Sequence, residues 1–279
     1  MHREPLVNDD GWTVDGVGLR SRLLLGSAGY PSPQVLREAI RASATQVVTV
    51  GLKRTLACGS DNGFVAIVRE ALAEQAARLL PNTAGCRTAH EAIELAMMAR
   101  ELYETAWIKL EVVGDEYTLQ PDPVELVEAA RVLARAGFVV WPYCTDDLVT
   151  CRRLLDAGCA VLMPWGAPIG SGQGLVNPLA LRTLRARLPD AILIVDAGIG
   201  APSHAAQVME LGFDAVLLNS AVALSADPVR MAGAFRLAVQ AGREGWRAGL
   251  IPTQDFAVAS TPVTGQPVLL GPGESSGSG

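Results

Sequence analysis

The stretch "AILIVDAGIGAPSHAAQVMELGFDAVLLNS", residues 191–220, contains one strand–helix–strand unit. Its ends, "AILIVDAG" and "DAVLLNS", are short unbroken apolar runs, the pattern of a strand covered on both faces. Between them, "APSHAAQVMELG" spaces its apolar residues as a helix with one buried side. A buried strand, an amphipathic helix and another buried strand read as a parallel βαβ unit.

The same unit recurs upstream. The preceding strands are "RLLLG" (22–26), "TQVVTVGL" (45–52), "RLLPNT" (78–83), "WIKLEV" (107–112), "FVVWPYC" (138–144) and "AVLMPW" (160–165). The helices between them begin with "SPQVLREAIRAS", where Ser32 is the expected N-cap and Pro33 the first helical residue. Others cover about 62–78, "TAHEAIELAMMARELY", "DPVELVEAARVLARAG" (ended by Gly137), "TDDLVTCRRLLDAG" (capped by Thr145 or Asp146) and "NPLALRTLRARL". "DPVRMAGAFRLAVQAGREGW" is the last. Eight strand–helix units through about 230 residues suit a closed (β/α)8 TIM barrel better than an open doubly wound sheet. "WTVDGVGLRS", with its Asp15-Gly16 turn, predicts a short N-terminal hairpin. With no internal linker, residues 1–265 are expected to form a single α/β domain and 266–279, rich in Gly, Ser and Pro, a flexible C-terminal tail.

Composition narrows the function. The chain has 279 residues, 49% hydrophobic and 19% charged, enough for a large core. A net charge of −6 argues against nucleic-acid partners, which require clustered Lys and Arg. No apolar run reaches membrane-span length and the N-terminus has no apolar signal core, so a cytoplasmic protein is expected. Five cysteines without C-x-x-C spacing and three histidines predict reduced thiols and no metal site.

Of 23 basic residues only Lys53 and Lys109 are lysine. Lys109 stands inside the strand "WIKLEV", where alternation puts Trp107, Lys109 and Glu111 on one face and Ile108 and Leu110 on the other. If the lysine face lines the barrel, burial should lower the lysine pKa toward about 7–8 and yield a neutral amine that attacks carbonyls. Glu111 would then shuttle protons. The alternative is a structural Lys–Glu ion pair. Asp196 ends the strand "LIVDAG", at the end of the barrel where active sites form, and is a second acid/base candidate or a turn cap. Glycine-rich loops follow three successive strands, "GAPIGSGQG" (166–174), "AGIGAPSH" (197–204) and "NSA" (219–221). Loops there commonly bind phosphate. The residues thus point to a barrel that forms an imine with a phosphorylated sugar, which also fits a class I aldolase.

The motifs "SRLLLG", "YPSP", "LPNTAGCRTA", "KLEVVGD", "LQPDP", "PYCTDD", "MPWGAPIGSGQG", "VDAGIG", "PSHAAQVMELG" and "AGLIP" together resemble the bacterial thiazole synthase family, over about residues 17–265. The resemblance implies that Lys109 forms the imine and that Glu111 and Asp196 are the acid/base pair. It implies sugar-phosphate contacts at Gly170, Ala197, Gly198, Asn219 and Ser220. It also implies a homo-oligomer with no resident cofactor, and sulfur delivered as the C-terminal thiocarboxylate of a small ubiquitin-like carrier protein.

The rim departs from the family pattern. "GSAGY" (26–30) stands for Gly-Thr-Gly-Lys-Tyr, Lys53-Arg54 for Arg-Arg, Trp165 for leucine, and "AVASTPVTG" for the usual ending. Ser220 for threonine keeps the hydroxyl; His204, where aspartate is frequent, reads as a solvated helix-start residue. The altered rim favours a thiosugar synthase paralogue from an antibiotic pathway, adding sulfur to C2 of a hexose phosphate such as glucose 6-phosphate. The alternative is a thiazole synthase that makes thiazole phosphate from 1-deoxyxylulose 5-phosphate for thiamine. A class I aldolase or isomerase without sulfur chemistry is a further alternative.

Overall fold

The computed structural model describes residues 10–53 and 63–258. Eight parallel strands close into a barrel: β3 (Leu23–Gly26), β4 (Val47–Gly51), β5 (Arg78–Asn82), β6 (Trp107–Leu110), β7 (Val139–Cys144), β8 (Val161–Pro164), β9 (Ile192–Asp196) and β10 (Ala215–Leu218), with β10 pairing back onto β3. Between and after them run α1 (Pro33–Ser43), α2 (Gly63–Glu74), α3 (Ala89–Tyr103), α4 (Pro123–Arg135), α5 (Leu148–Asp156), α6 (Pro178–Arg187), α7 (Pro202–Glu210), the one-turn α8 (Ser220–Ala223) and α9 (Pro228–Ala248). The TIM-barrel expectation holds. The short helix α8, directly after β10, was not anticipated.

The expected hairpin is present as β1 (Trp12–Val14) and β2 (Val17–Leu19). Asp15 and Gly16 both turn left-handed, at φ 49° and 73°, as a tight two-residue hairpin turn requires. Trp12, Val14 and Leu19 pack with the first inward residues of the strands, among them Val47, Trp107 and Val161. Trp141 lies beneath them, 5.0 Å from Trp107 and 6.4 Å from Trp12 between ring centroids. The hairpin therefore plugs the N-terminal end of the barrel with an aromatic floor.

The two faces of the strands divide as alternation demands. Ile108 and Leu110 join the large cluster under the helices, whereas Trp107 belongs to the inner one. Helix starts follow their caps: Ser32, Thr88, Asp122, Asn177 and Asp227 accept N–H groups of the first turn. Each such cap is worth about 1 kcal/mol. Helix α5 corrects the sequence reading: its cap is Asp147, which accepts the Thr150 N–H at 2.6 Å, not Thr145 or Asp146. Asp146 instead accepts the indole N–H of Trp165 at 3.0 Å.

Cys86, Cys144, Cys151 and Cys159 are buried free thiols; Cys58 lies outside the described residues. No described helix is long and apolar enough to cross a membrane. The compact barrel unit ends at Gly249. The expected domain end at 265 and the tail at 266–279 lie outside the described residues.

At the closed end, Asp10 is held between Arg22 and Arg243, at 2.9 and 2.8 Å. Burial raises its pKa, but the two guanidiniums outweigh burial and bring it down to about 2. A depressed carboxylate pKa stabilises the fold above the unfolded value and loses that contribution as pH falls. Asp10→Asn is therefore expected to lower stability in urea unfolding at pH 7. The deficit should shrink as pH falls from about 4 toward 2.

Candidate active site

Lys109 sits in mid-barrel, above the tryptophan floor. Its Nζ lies 2.7 Å from Asp196 Oδ2 and 3.1 Å from Glu111 Oε1, and all three side chains are buried. The inward face expected for Lys109 and Glu111 is confirmed, and Asp196 completes the group from β9.

The expected lowering of the lysine pKa is corrected. Burial does push it down, but Asp196 and Glu111 together push harder and hold it above the ordinary lysine value. Burial raises the Asp196 pKa, with Lys109 opposing. The resting nitrogen is therefore an ammonium. To react it must first hand a proton to a neighbour. The structural ion pair weighed against catalysis is thus real, yet it lies on the wall of a cavity rather than in a sealed core.

That cavity, about 720 Å³, opens at the C-terminal ends of the strands. Besides the trio it is lined by Gly170, Ala197, Gly198, Asn219 and Ser220, so every site residue expected from the sequence meets in one place. Backbone contacts build the wall. The Gly166 N–H donates to Ala197 O at 3.2 Å and the Gly174 N–H to Gly198 O at 2.8 Å, tying the loop after β8 to the loop after β9. Ala197 and Gly198 are both left-handed, at φ 72° and 78°. A side chain at 198 would run into the backbone of Ala167, so that position requires glycine. Asn219 does not cap α8; its Nδ2 donates to Ala28 O at 3.0 Å and its Oδ1 is buried without a partner. A Cβ on Gly26 would stand 2.6 Å from Asn219 Cβ, so glycine there makes room for Asn219. The first amides of α8, including that of Ser220, have no acceptor within the helix.

Several supporting residues escaped the sequence reading. Thr83 is fully buried; its hydroxyl donates to Glu111 O and accepts the Glu111 N–H, both at 2.8 Å, holding the chain beyond β6 so that Glu111 stays inward. Asn82 is the register partner of Lys109 and lines the cavity with Thr49 and Ser27. Their only signal was membership of matched motifs or inward strand positions. Lys53 lines the rim, donating to Gly85 O at 2.7 Å and lying 3.8 Å from Glu91. His204 is not simply solvated: its Nδ1 accepts the Gly200 N–H at 3.2 Å and its ring lies against Gly174, bracing the loop wall. Among the described residues, no group of three or more His, Cys, Asp or Glu is placed to hold a metal ion.

A closed (β/α)8 barrel with a lysine and two carboxylates buried together on the wall of its open cavity has the build of a barrel enzyme. The match to the family described as thiazole biosynthesis protein ThiG spans residues 13–262, and the chain belongs to that family. A thiazole synthase of Gluconobacter oxydans is 62% identical over 250 residues, covering 90% of this chain and 97% of the relative. One of Coxiella burnetii is 57% identical over 259 residues, covering 93% and 98%. Among solved structures, the BexX/CysO complex of Amycolatopsis orientalis superposes with a TM-score of 0.79 at 32% identity, covering 88% of this chain and 99% of the matched one.

Removing the cation from this trio should leave two buried carboxylates facing each other. Lys109→Met is expected to cost about 3–5 kcal/mol in urea unfolding at pH 8. Burial raises the Asp196 pKa, and loss of Lys109 removes the largest influence opposing it. Stability linked to a raised carboxylate pKa is present at low pH and lost as pH rises. The deficit should therefore be smaller at pH 5 than at pH 8.

Proposed function

We propose that the chain is a thiazole synthase acting on 1-deoxyxylulose 5-phosphate. The observation that carries this is Lys109, held by Glu111 and Asp196 on the wall of the cavity that the glycine loops also line. The expectation of a thiosugar synthase gives way. It rested on the altered rim, whereas the thiazole synthases of Gluconobacter oxydans and Coxiella burnetii are 57–62% identical over nearly the whole chain.

In this reading the phosphate rests on the loops after β8, β9 and β10, against Gly170, Ala197, Gly198, Asn219 and Ser220. The sugar's C2 carbonyl then reaches Lys109. The ammonium gives a proton to a neighbouring carboxylate, and the free amine adds to C2. The carboxylic acid returns the proton to the carbinolamine, and a water molecule leaves as the imine forms. A carboxylate next takes the C3 hydrogen as a proton to give the enamine. Glu111 and Asp196 both lie within hydrogen-bond reach of the nitrogen and can divide these transfers.

Sulfur would come from the C-terminal thiocarboxylate of a small ubiquitin-like carrier protein, so the proposal needs no resident cofactor. That a structural neighbour was crystallised as a complex with a second protein supports a protein partner beside this fold. A homo-oligomer is part of the same proposal.

Borohydride reduction in the presence of each sugar phosphate, followed by intact mass and peptide mapping, tests it. The expected result is the added mass of reduced 1-deoxyxylulose 5-phosphate on Lys109. An adduct with glucose 6-phosphate instead would restore the thiosugar reading. A product formed without the thiocarboxylated carrier would favour an aldolase or isomerase. No adduct from either sugar would end the imine mechanism.

A further inference from the structure

Tyr143 is a large polar residue of the barrel interior that the mechanism above leaves unused. It lies on β7 two residues beyond Trp141, which is the register partner of Lys109 on β6. Alternation therefore sets Tyr143 beside Glu111 on the inner face. Its ring centroid is 5.8 Å from Lys109 Nζ. The side chain is only 2% exposed, and its hydroxyl is buried without a hydrogen-bond partner.

A buried hydroxyl with no partner is costly, and its persistence needs a reason. The resting ammonium supplies one. Lys109 already pairs with an oxygen of each carboxylate in this state, at 3.1 Å from Glu111 and 2.7 Å from Asp196. Once the nitrogen is bonded to the sugar as an imine, it keeps at most one N–H, and one carboxylate loses its donor. The titratable groups that feel the Glu111 charge are Lys109, Asp196, Tyr143 and Cys86. Burial holds the Cys86 thiol protonated, and burial with the Asp196 and Glu111 charges holds the Tyr143 proton in place. The phenol is thus a neutral donor at the level of Glu111.

Building on the imine reading, we infer that Tyr143 is a positioning residue whose hydroxyl donates to the Glu111 carboxylate when Lys109 becomes the imine, keeping Glu111 ionised and aimed for proton transfer at C3. The hydroxyl waits unpartnered in the resting protein and is satisfied only in the reacting one.

Tyr143→Phe keeps the ring and removes this donor. The full chain is mixed with 1-deoxyxylulose 5-phosphate in deuterated buffer, and exchange of the C3 hydrogen is followed across pH. The expected kcat for exchange falls at least about tenfold, with KM within about twofold of wild type. The acid limb of kcat moves to higher pH, because a carboxylate that loses a donor to its charged form is easier to protonate. The melting temperature stays level or rises, since the lost hydroxyl had no partner.

Wild-type kcat in the variant would overturn the inference. So would a fall in kcat with the acid limb unmoved, or a melting temperature well below wild type, since either marks a structural hydroxyl. A wild-type protein showing neither exchange nor a borohydride adduct fails the imine reading itself. Wild-type exchange matched by the variant fails only the role given to Tyr143.

Discussion

The pairing of one buried ammonium with two buried carboxylates governs this structure. Lys109 cannot be withdrawn from water alone, because an unpaired buried charge costs several kcal/mol. Asp196 and Glu111 make the burial tolerable, at 2.7 and 3.1 Å. The same carboxylates hold the amine protonated, so stability and reactivity oppose each other at a single nitrogen. In the proposed mechanism, a substrate carbonyl and a proton acceptor beside it are both needed to release the nucleophile.

The remainder of the barrel keeps this group intact and accessible from one side. The hairpin and the tryptophans pack against the N-terminal end, and the cavity opens at the opposite mouth. Thr83 fixes the chain under Glu111, and the backbone contacts between the loops after β8 and β9 fix the wall beside Asp196. Tyr143 stands in the same layer with a hydrogen bond unmade. Strands and the residue just past β6 carry the charges, while tightly packed glycine loops shape the cavity, a division of labour common to this fold.

Much of this was legible in the sequence. The alternation of apolar runs with amphipathic ones gave the barrel, and the two-residue period of "WIKLEV" put Lys109 and Glu111 on one face. The direction of the lysine pKa was not legible. Asp196 comes from another strand, and only closure of the barrel brings it to 2.7 Å. Burial alone predicts a lowered pKa; burial between two anions reverses the sign. The cap of α5 was ambiguous for a similar reason. Thr145, Asp146 and Asp147 are all good capping residues, and the indole of Trp165 removes Asp146 from the choice. Tyr143 was invisible within "FVVWPYC", because nothing local shows that a tyrosine hydroxyl lacks a partner. The altered rim suggested a different sugar, but differences at a few mouth residues weigh less than 57–62% identity across the whole fold.

The chain's two lysines allow a direct test of the central claim. Lysine labelled with nitrogen-15 at Nζ should give one signal for Lys109 and one for Lys53, which Lys53→Arg assigns. The account predicts that the Lys109 signal stays at the ammonium position beyond the pH at which an ordinary lysine side chain loses its proton. It should move to an imine position when 1-deoxyxylulose 5-phosphate is added. A Lys109 signal at the neutral amine position near pH 7 would contradict it.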